Sequence, residues 1–250
     1  GVTVIVGRIL SAVEALIVVD DRSTDGTTEL LARLAAELGA PLRVLAGRGP
    51  GPGECGKPAA LRDAVAAVAP TSEWLLFVDA DVVLAPGAVA GLLATARARG
   101  AELLSVFPAL ELRGALEGWL MPAVGALIAA AFPAPSVEDP RSAKAFANGQ
   151  LILVSRRAYS AAGGHGAVVH EILEDVRLAE RVKRTGARLA LADGRAVART
   201  RMYASARELV EGWSKNLYLL VGGRPGPALS WAVVTTLLAS LGLLALVVDG

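Results

Sequence analysis

The sequence predicts an α/β fold: a mixed, mainly parallel sheet with helices on both faces. Three observations carry this expectation. Short apolar runs rich in β-branched residues alternate with segments of helical spacing through the first hundred residues. Two of those runs end in acidic pairs, Asp20-Asp21 and Asp79-Ala80-Asp81. Turn and cap residues such as Ser23-Thr24-Asp25-Gly26 separate a run from the helix that follows it.

In chain order, Val2–Val6, Ala15–Val19, Leu42–Ala46, Trp74–Val78 and Glu102–Phe107 read as strands. Between them, Thr27–Leu38, Pro58–Val68 and Ala88–Arg99 combine helical spacing with good helix formers. Only Gly7–Glu14 separates the first two strands, whereas a parallel crossover with its helix needs ~10–12 residues. Either these strands are not parallel neighbours or residues of this crossover are absent from the chain, and the second alternative is favoured. Further on, Gly118–Phe132 is apolar and charge-free, includes Trp119 and Pro122, and suits a helix in a membrane interface or a core helix equally. Pro133–Arg141 is Pro-rich and acidic and reads as a mobile loop. His170–Arg184 reads as an amphipathic helix with Ile172, Val176, Ala179 and Val182 near one face. No internal repeat is visible.

With 250 residues the chain holds one large domain, or a domain and a tail. It is 54% hydrophobic, with a mean hydropathy of +0.50, which points toward a membrane. The net charge of +1 hides an asymmetry: residues 1–176 carry 14 Lys/Arg against 19 Asp/Glu, and residues 177–224 carry 11 against 4. That basic stretch precedes Ala228–Val248, 21 residues without a charge. Such a run is long enough to span a bilayer as a helix, although a buried soluble helix is the alternative. Positive charge beside it marks the cytoplasmic side and attracts anionic headgroups. Aromatic residues are only 4% and no recognition motif accompanies the charge, which argues against nucleic acid. The single Cys55 excludes an intramolecular disulfide, and Gly1 leads into Val2–Val6 with no signal-peptide pattern.

The acidic pairs carry the first chemistry. Asp79 and Asp81 stand where open α/β sheets bind ligands, at the carboxyl end of a strand. Two carboxylates there suit Mg²⁺ on a diphosphate, though an acidic turn explains Asp-x-Asp by itself equally well. Asp20-Asp21 repeats the placement, and a carboxylate there accepts from base N–H groups or ribose hydroxyls. Ser23, Thr24 or Asp25 is expected to cap the next helix. Lys57 opens a helix against its dipole, which suggests an anion nearby or a solvated side chain. The Gly/Pro-rich loop before it lacks P-loop spacing. Neither His165 nor His170 belongs to a Cys/His cluster with zinc spacing.

Together these blocks resemble the inverting family-2 glycosyltransferases of the GT-A, Rossmann-like fold. The resemblance rests on Val18-Val19-Asp20-Asp21-Arg22-Ser23-Thr24-Asp25-Gly26-Thr27, Gly56-Lys57-Pro58-Ala59-Ala60-Leu61 and Phe77-Val78-Asp79-Ala80-Asp81, in the family's order. It continues through Asn148-Gly149-Gln150, His170–Val176 with Glu174-Asp175, Arg201-Met202-Tyr203 and Glu211–Asn216 with Trp213 and Lys215. The last blocks look most like the membrane-associated branch that includes hopanoid-associated and carotenoid glucosyltransferases. One departure stands out: Val6 is followed directly by Gly7-Arg8 rather than by a Pro-x-x-Asn-Glu-like turn.

The resemblance implies a nucleotide-sugar-binding half at 1–107, an acceptor half at 108–222 with interfacial helices, and a transmembrane helix at 228–248. It implies that Asp20, Asp21 and Ser23 contact the nucleoside, with Lys57 near base or phosphates. Asp79, Ala80 and Asp81 would meet the diphosphate, with Asp79 and Asp81 holding Mg²⁺ or Mn²⁺. Asp175 would be the base, supported by Glu174, although two carboxylates at a helix start also favour the helix dipole. Asn148, Gly149, Gln150, Arg201, Trp213 and Lys215 would lie on the acceptor and phosphate side. Trp213 and Lys215 also suit an interfacial anchor. His170 would line the acceptor side or simply sit on the surface. The expected reaction moves a hexose, glucose from UDP-glucose, to a hydroxyl or carboxyl of an apolar lipid at the cytoplasmic face of the cell membrane. The alternatives are a polyprenyl-phosphate sugar synthase using a GDP- or UDP-sugar, and a non-catalytic nucleotide-sugar-binding membrane protein.

Overall fold

The computed structural model describes residues 14–39, 42–68, 71–203 and 205–220, with scattered positions from 224 to 237. The strand expected at Val2–Val6, and all but the last residue of the Gly7–Glu14 connection, lie outside them. Strand β1 (Leu16–Asp20), helix α1 (Thr27–Leu38) and strand β2 (Leu42–Ala46) form a unit in which β1 and β2 pair in parallel. Val18, Leu31 and Leu42 pack together as its core. The residue before α1 is Gly26 at φ 81, a left-handed conformation that favours glycine, and no side chain caps from there. Asp25 works from one position earlier: its Oδ1 accepts from the Thr27 amide at 3.3 Å and the Thr27 hydroxyl at 2.6 Å.

Helix α2 (Gly56–Ala66) begins two residues before the expected Pro58, leaving that proline in the first turn where its missing N–H costs nothing. Then follow β3 (Trp74–Val78), β4 (Val82–Leu84), α3 (Ala88–Ala98), β5 (Leu103–Phe107), β6 (Ala109–Leu110), α4 (Ala115–Ala131) and α5 (Ala134–Glu138). The chain continues with β7 (Leu151–Ser155), α6 (Arg156–Ala161), a 3₁₀ turn at His165–Val168, α7 (Glu174–Arg184), β8 (Leu189–Asp193), β9 (Ala198–Thr200) and α8 (Ala206–Leu220).

The central sheet has the order β3-β7-β5-β8. Strands β3, β5 and β8 share a direction, and β7 runs against both of its neighbours. The expected mixed α/β architecture is therefore the observed one, but its ladders are not mainly parallel: β1–β2 and β5–β8 are parallel, and β3–β7, β5–β7 and β4–β9 are antiparallel, with β7 a strand that periodicity in the first hundred residues could not announce. Leu151-Ile152-Leu153-Val154 is buried throughout, as a strand covered on both faces must be. Each fully buried Leu or Val of this kind contributes ~1.5–3 kcal/mol of transfer free energy. The direction of β7 matters for function. Val78 pairs with Leu151, so the carboxyl end of β3 and the amino end of β7 meet at one edge, where the Asp79 amide donates to the Gln150 carbonyl at 3.0 Å.

Two local expectations are corrected. Pro133–Arg141 is not a mobile loop: it contains α5, whose Val137 is fully buried. Glu138 accepts from the Leu191 amide at 3.0 Å and pairs with Arg99 at 2.7 Å, and the Lys183 ammonium donates to the Val137 carbonyl at 2.7 Å. The helix expected to open at His170 opens at Glu174, because the 3₁₀ turn and a loop take up the preceding residues.

The chain divides into two compact units, one ending at Ala109 and resuming at Pro135–Thr200, the other made of Leu110–Ala134 and the residues from Arg201 onward. Within the second, α4 buries Met121, Ala123, Val124 and Leu127, and Trp213 Nε1 on α8 donates to Met121 Sδ at 3.1 Å. Among the described residues no helix is long and apolar enough to cross a membrane. Most of Ala228–Val248, on which the spanning helix was expected, lies outside them.

Candidate active site

At the end of β1, Asp20 is buried, and its two oxygens accept from the Ser23 amide at 3.0 Å and the Thr28 hydroxyl. The Ser23 side chain first, then the Thr28 hydroxyl and, less, the Ser23 amide hold its carboxyl below the ordinary range against the effect of burial. Asp20 and Ser23 thus shape the loop. Asp21 is the one left open: its Oδ1 is buried and receives no hydrogen bond, with Arg22 Nε 3.7 Å away. A Cβ on Gly47 would stand 3.0 Å from that oxygen and 2.9 Å from the Asp21 Cα, so glycine permits the approach. An unsatisfied buried acceptor is costly, and a ligand N–H or O–H is the natural group to satisfy it.

The second cluster gathers around Lys57. Its Nζ lies 2.7 Å from Asp79 Oδ1 and 3.1 Å from Glu174 Oε1. Burial alone would lower the Lys57 pKa, but the charges of Glu174, Asp79 and Asp175 outweigh it and hold the ammonium above its ordinary value. Asp79 is pushed up, mainly by burial and further by Asp81 and Glu174, against the pull of Lys57. Burial first, and then the Glu174 charge, push Asp175 up to about 6. Asp175 Oδ2 accepts from the Gly149 amide at 2.6 Å and its Oδ1 from the Val176 amide at 2.8 Å. These bonds orient the carboxylate while its remaining lone pairs stay available. Ala80 is exposed in the turn between Asp79 and Asp81, and Asp81 Oδ2 accepts from the Thr200 hydroxyl at 2.9 Å.

Asn148, Gly149 and Gln150 form the entry to β7. The Asn148 amide donates to Ser105 Oγ at 2.7 Å, and its side-chain amide donates to Gln150 Oε1 at 3.0 Å. Gly149 reaches the cluster through Asp175 and Gln150 through the Asp79 amide, whereas Asn148 is held by Ser105 and Gln150. His170 is exposed, and its Nδ1 lies 2.9 Å from the Gly53 carbonyl oxygen, so it ties down the loop before α2. Arg201, Trp213 and Lys215 belong to the second unit. There the Arg201 Nε donates to the Tyr203 carbonyl at 3.3 Å, Trp213 bonds Met121, and Lys215 is exposed. Gly212 in the same block gives room to Tyr203, whose ring a Cβ would meet at 2.8 Å.

A family profile described as "Glycosyltransferase like family 2" matches residues 4–211, most of the chain. The chain belongs to that family. Its mixed α/β architecture is GT-A-like. Among solved structures, S. aureus TarS 1–349 in complex with UDP-GlcNAc is similar at 15% identity and a TM-score of 0.46, over 82% of this chain and 56% of that one. Glucosyl-3-phosphoglycerate synthase from Mycobacterium tuberculosis in complex with phosphoglyceric acid is similar at 22% identity and a TM-score of 0.44, over 79% and 64%. The chain thus spans less than two-thirds of either structure's length. No curated protein matches it.

Enzymes of this family commonly use a divalent metal. Among the described residues no group of three or more His, Cys, Asp or Glu side chains forms a metal cage. Two carboxylates suffice, however, when phosphate oxygens and water complete the shell. The donor set fits such a cation. Asp81 lies close enough to Asp79 to act on it and is exposed at the rim, while Lys57 is the cation shared by Asp79, Glu174 and Asp175.

Sequence reasoning named the carboxylates but missed Thr200 and the bridging role of Lys57. A threonine closing a three-residue strand carries no local signal. Gly149 is a testable consequence of the packing. A Cβ there would stand 2.8 Å from Asp175 Oδ2 and 3.2 Å from Lys57 Nζ. Gly149→Ala is therefore expected to lower kcat by about 10–100-fold, since small misplacements of reacting groups carry such penalties. Steady-state kinetics beside a melting curve would check this, and an unaltered kcat would contradict it.

Proposed function

We propose that this glycosyltransferase transfers a hexose, glucose from UDP-glucose, with inversion to a hydroxyl or carboxyl group of an apolar lipid of the carotenoid or hopanoid kind. The observation that carries the reading is the Lys57 bridge. One ammonium contacts Asp79 on the donor side and Glu174 beside the base, so donor and acceptor chemistry share one electrostatic cluster.

In this reading Asp21 offers its unsatisfied oxygen to the nucleoside, while Asp20 and Ser23 hold the loop that presents it. Asp79 and Asp81 would hold Mg²⁺ or Mn²⁺, which offsets charge on the departing diphosphate. Asp175 takes the acceptor proton as the acceptor oxygen attacks the anomeric carbon from the face opposite the diphosphate. A carboxylate pushed up to about 6 is a stronger base than an ordinary Asp and is still ionised at neutral pH. The Gly149 amide fixes its orientation. Residues 1–107 serve the nucleotide sugar and 108–222 the acceptor, with Arg201, Trp213 and Lys215 on the acceptor side. The basic stretch 177–224 and the apolar run after it support a place at the cytoplasmic face of the cell membrane, where such an acceptor resides.

The test is a melting screen of UDP- and GDP-sugars with Mn²⁺, because a ligand bound only by the native state raises Tm. UDP-glucose with Mn²⁺ is expected to raise Tm in the wild type and not in Asp81→Ala. If no nucleotide sugar shifts Tm, the donor assignment falls.

A further inference from the structure

Asp81 is exposed, and an exposed carboxylate ordinarily samples several rotamers; this one is tethered. Thr200, 1% exposed, donates its hydroxyl to Asp81 Oδ2 at 2.9 Å across 119 residues of chain. We propose that Thr200 is a positioning residue for the donor-side cation site: its buried hydroxyl holds one Asp81 oxygen and leaves Oδ1 to ligate a divalent metal on the donor diphosphate. The inference rests on the donor reading given under Proposed function.

The placement of Thr200 is built into the fold. Strand β9 pairs antiparallel with β4, with Thr200 opposite Val82, the residue after Asp81. The Ala85 amide donates to the Val197 carbonyl at 2.8 Å and closes the other end of the ladder. Before β9, the Gly194 amide donates to the Phe107 carbonyl at 2.9 Å, and the Val197 and Ala198 amides both donate to the Gly194 carbonyl. A Cβ at Gly194 would lie 2.3 Å from Val106 Cγ1, so only glycine allows the turn to seat against β5. On the other side, the Val82 amide donates to the Asp79 carbonyl at 3.1 Å and closes the turn that carries both carboxylates. The β4–β9 ladder thus sets Thr200 beside the turn, and the hydroxyl adds the bond to Asp81.

A hydrogen bond to an ionised group strengthens both geometry and charge localisation. Removing it frees the Asp81 rotamer, and part of the metal affinity is then spent on reordering the ligand. Mn²⁺ binding in the presence of UDP, followed by the electron paramagnetic resonance signal of free Mn²⁺, tests this in wild type, Thr200→Val and Thr200→Ser. Thr200→Val is expected to weaken Mn²⁺ binding about ten-fold and to raise the Mn²⁺ needed for half-maximal rate equally, with kcat at saturating Mn²⁺ within about two-fold. Thr200→Ser, which keeps the hydroxyl, restores both. If the valine variant does not fold, Thr200→Ala against Thr200→Ser makes the same comparison. Wild-type Mn²⁺ affinity in the valine or alanine variant overturns the proposal, as does a loss confined to kcat. A wild-type protein that takes up no Mn²⁺ with UDP overturns the donor reading and this inference with it.

Discussion

Asp175→Asn is expected to slow sugar transfer by about 10²–10⁴-fold while nucleotide-sugar binding persists, the loss typical of a removed general base. The amide keeps the shape and its one oxygen can still accept from the Gly149 N–H, while its NH2 then faces the Val176 N–H, so the bond that Val176 donates to Asp175 is lost together with proton transfer. Two further measurements bear on the same residue. Transfer by the wild type should rise with pH through about 6 and level off above it, because only ionised Asp175 accepts the proton. Stability should move the other way. Asp175 binds its proton more tightly folded than unfolded, so between its ordinary value of 3.8 and about 6 the native state loses stability as pH rises. The asparagine variant escapes that loss and should melt higher than wild type at neutral pH. A near-normal rate for Asp175→Asn would instead favour a phosphate acceptor, which is already anionic and needs no base.

Lys57→Met should have the second largest effect. It leaves Asp79, Glu174 and Asp175 without the ammonium that now offsets them. Removing one partner of a buried pair costs ~3–5 kcal/mol, and the 38% exposure of the Lys57 side chain discounts this to roughly 1–3 kcal/mol at neutral pH. The sign with pH follows from the charges. Lysine held above its ordinary value of 10.5 by ionised carboxylates contributes its full stabilisation at neutral pH, where those partners are charged, and loses it as pH rises through the folded value. In the variant Asp79 and Asp175 hold protons to higher pH, so its stability deficit should shrink as the solution is acidified. The acid limb of its residual activity should move above that of the wild type, because Asp175 loses a neighbour that lowers its pKa. Melting curves and pH–rate profiles would check both, and an unmoved acid limb would show that Lys57 does not act on the base.

Much of this was legible in the residues themselves. The acidic pairs after Val19 and Val78, the lysine at the start of α2 and the Glu174-Asp175 pair were all named from order and spacing. Strands β2 and β3 and helix α1 coincide with their expected spans, because alternation, helical periodicity and turn chemistry are local properties. The failures were also physical. Pro133–Arg141 looked mobile because its composition is that of a loop, yet the burial of Val137 and the Glu138 and Lys183 bonds hold it. His170 looked like a helix start, whereas its ring serves the Gly53 loop.

The sequence by itself determined which chemical groups this protein owns and the order in which its strands and helices present them. Tertiary structure decided which of them meet. The antiparallel course of β7 brings Gln150 to Asp79 and Gly149 to Asp175, the β4–β9 ladder brings Thr200 to Asp81, and Lys57 joins two carboxylates far apart in the chain. The reason is separation: the Gly149–Asp175 bond spans 26 residues and the Thr200–Asp81 bond 119, and such contacts come from strand pairing and burial rather than from any local pattern.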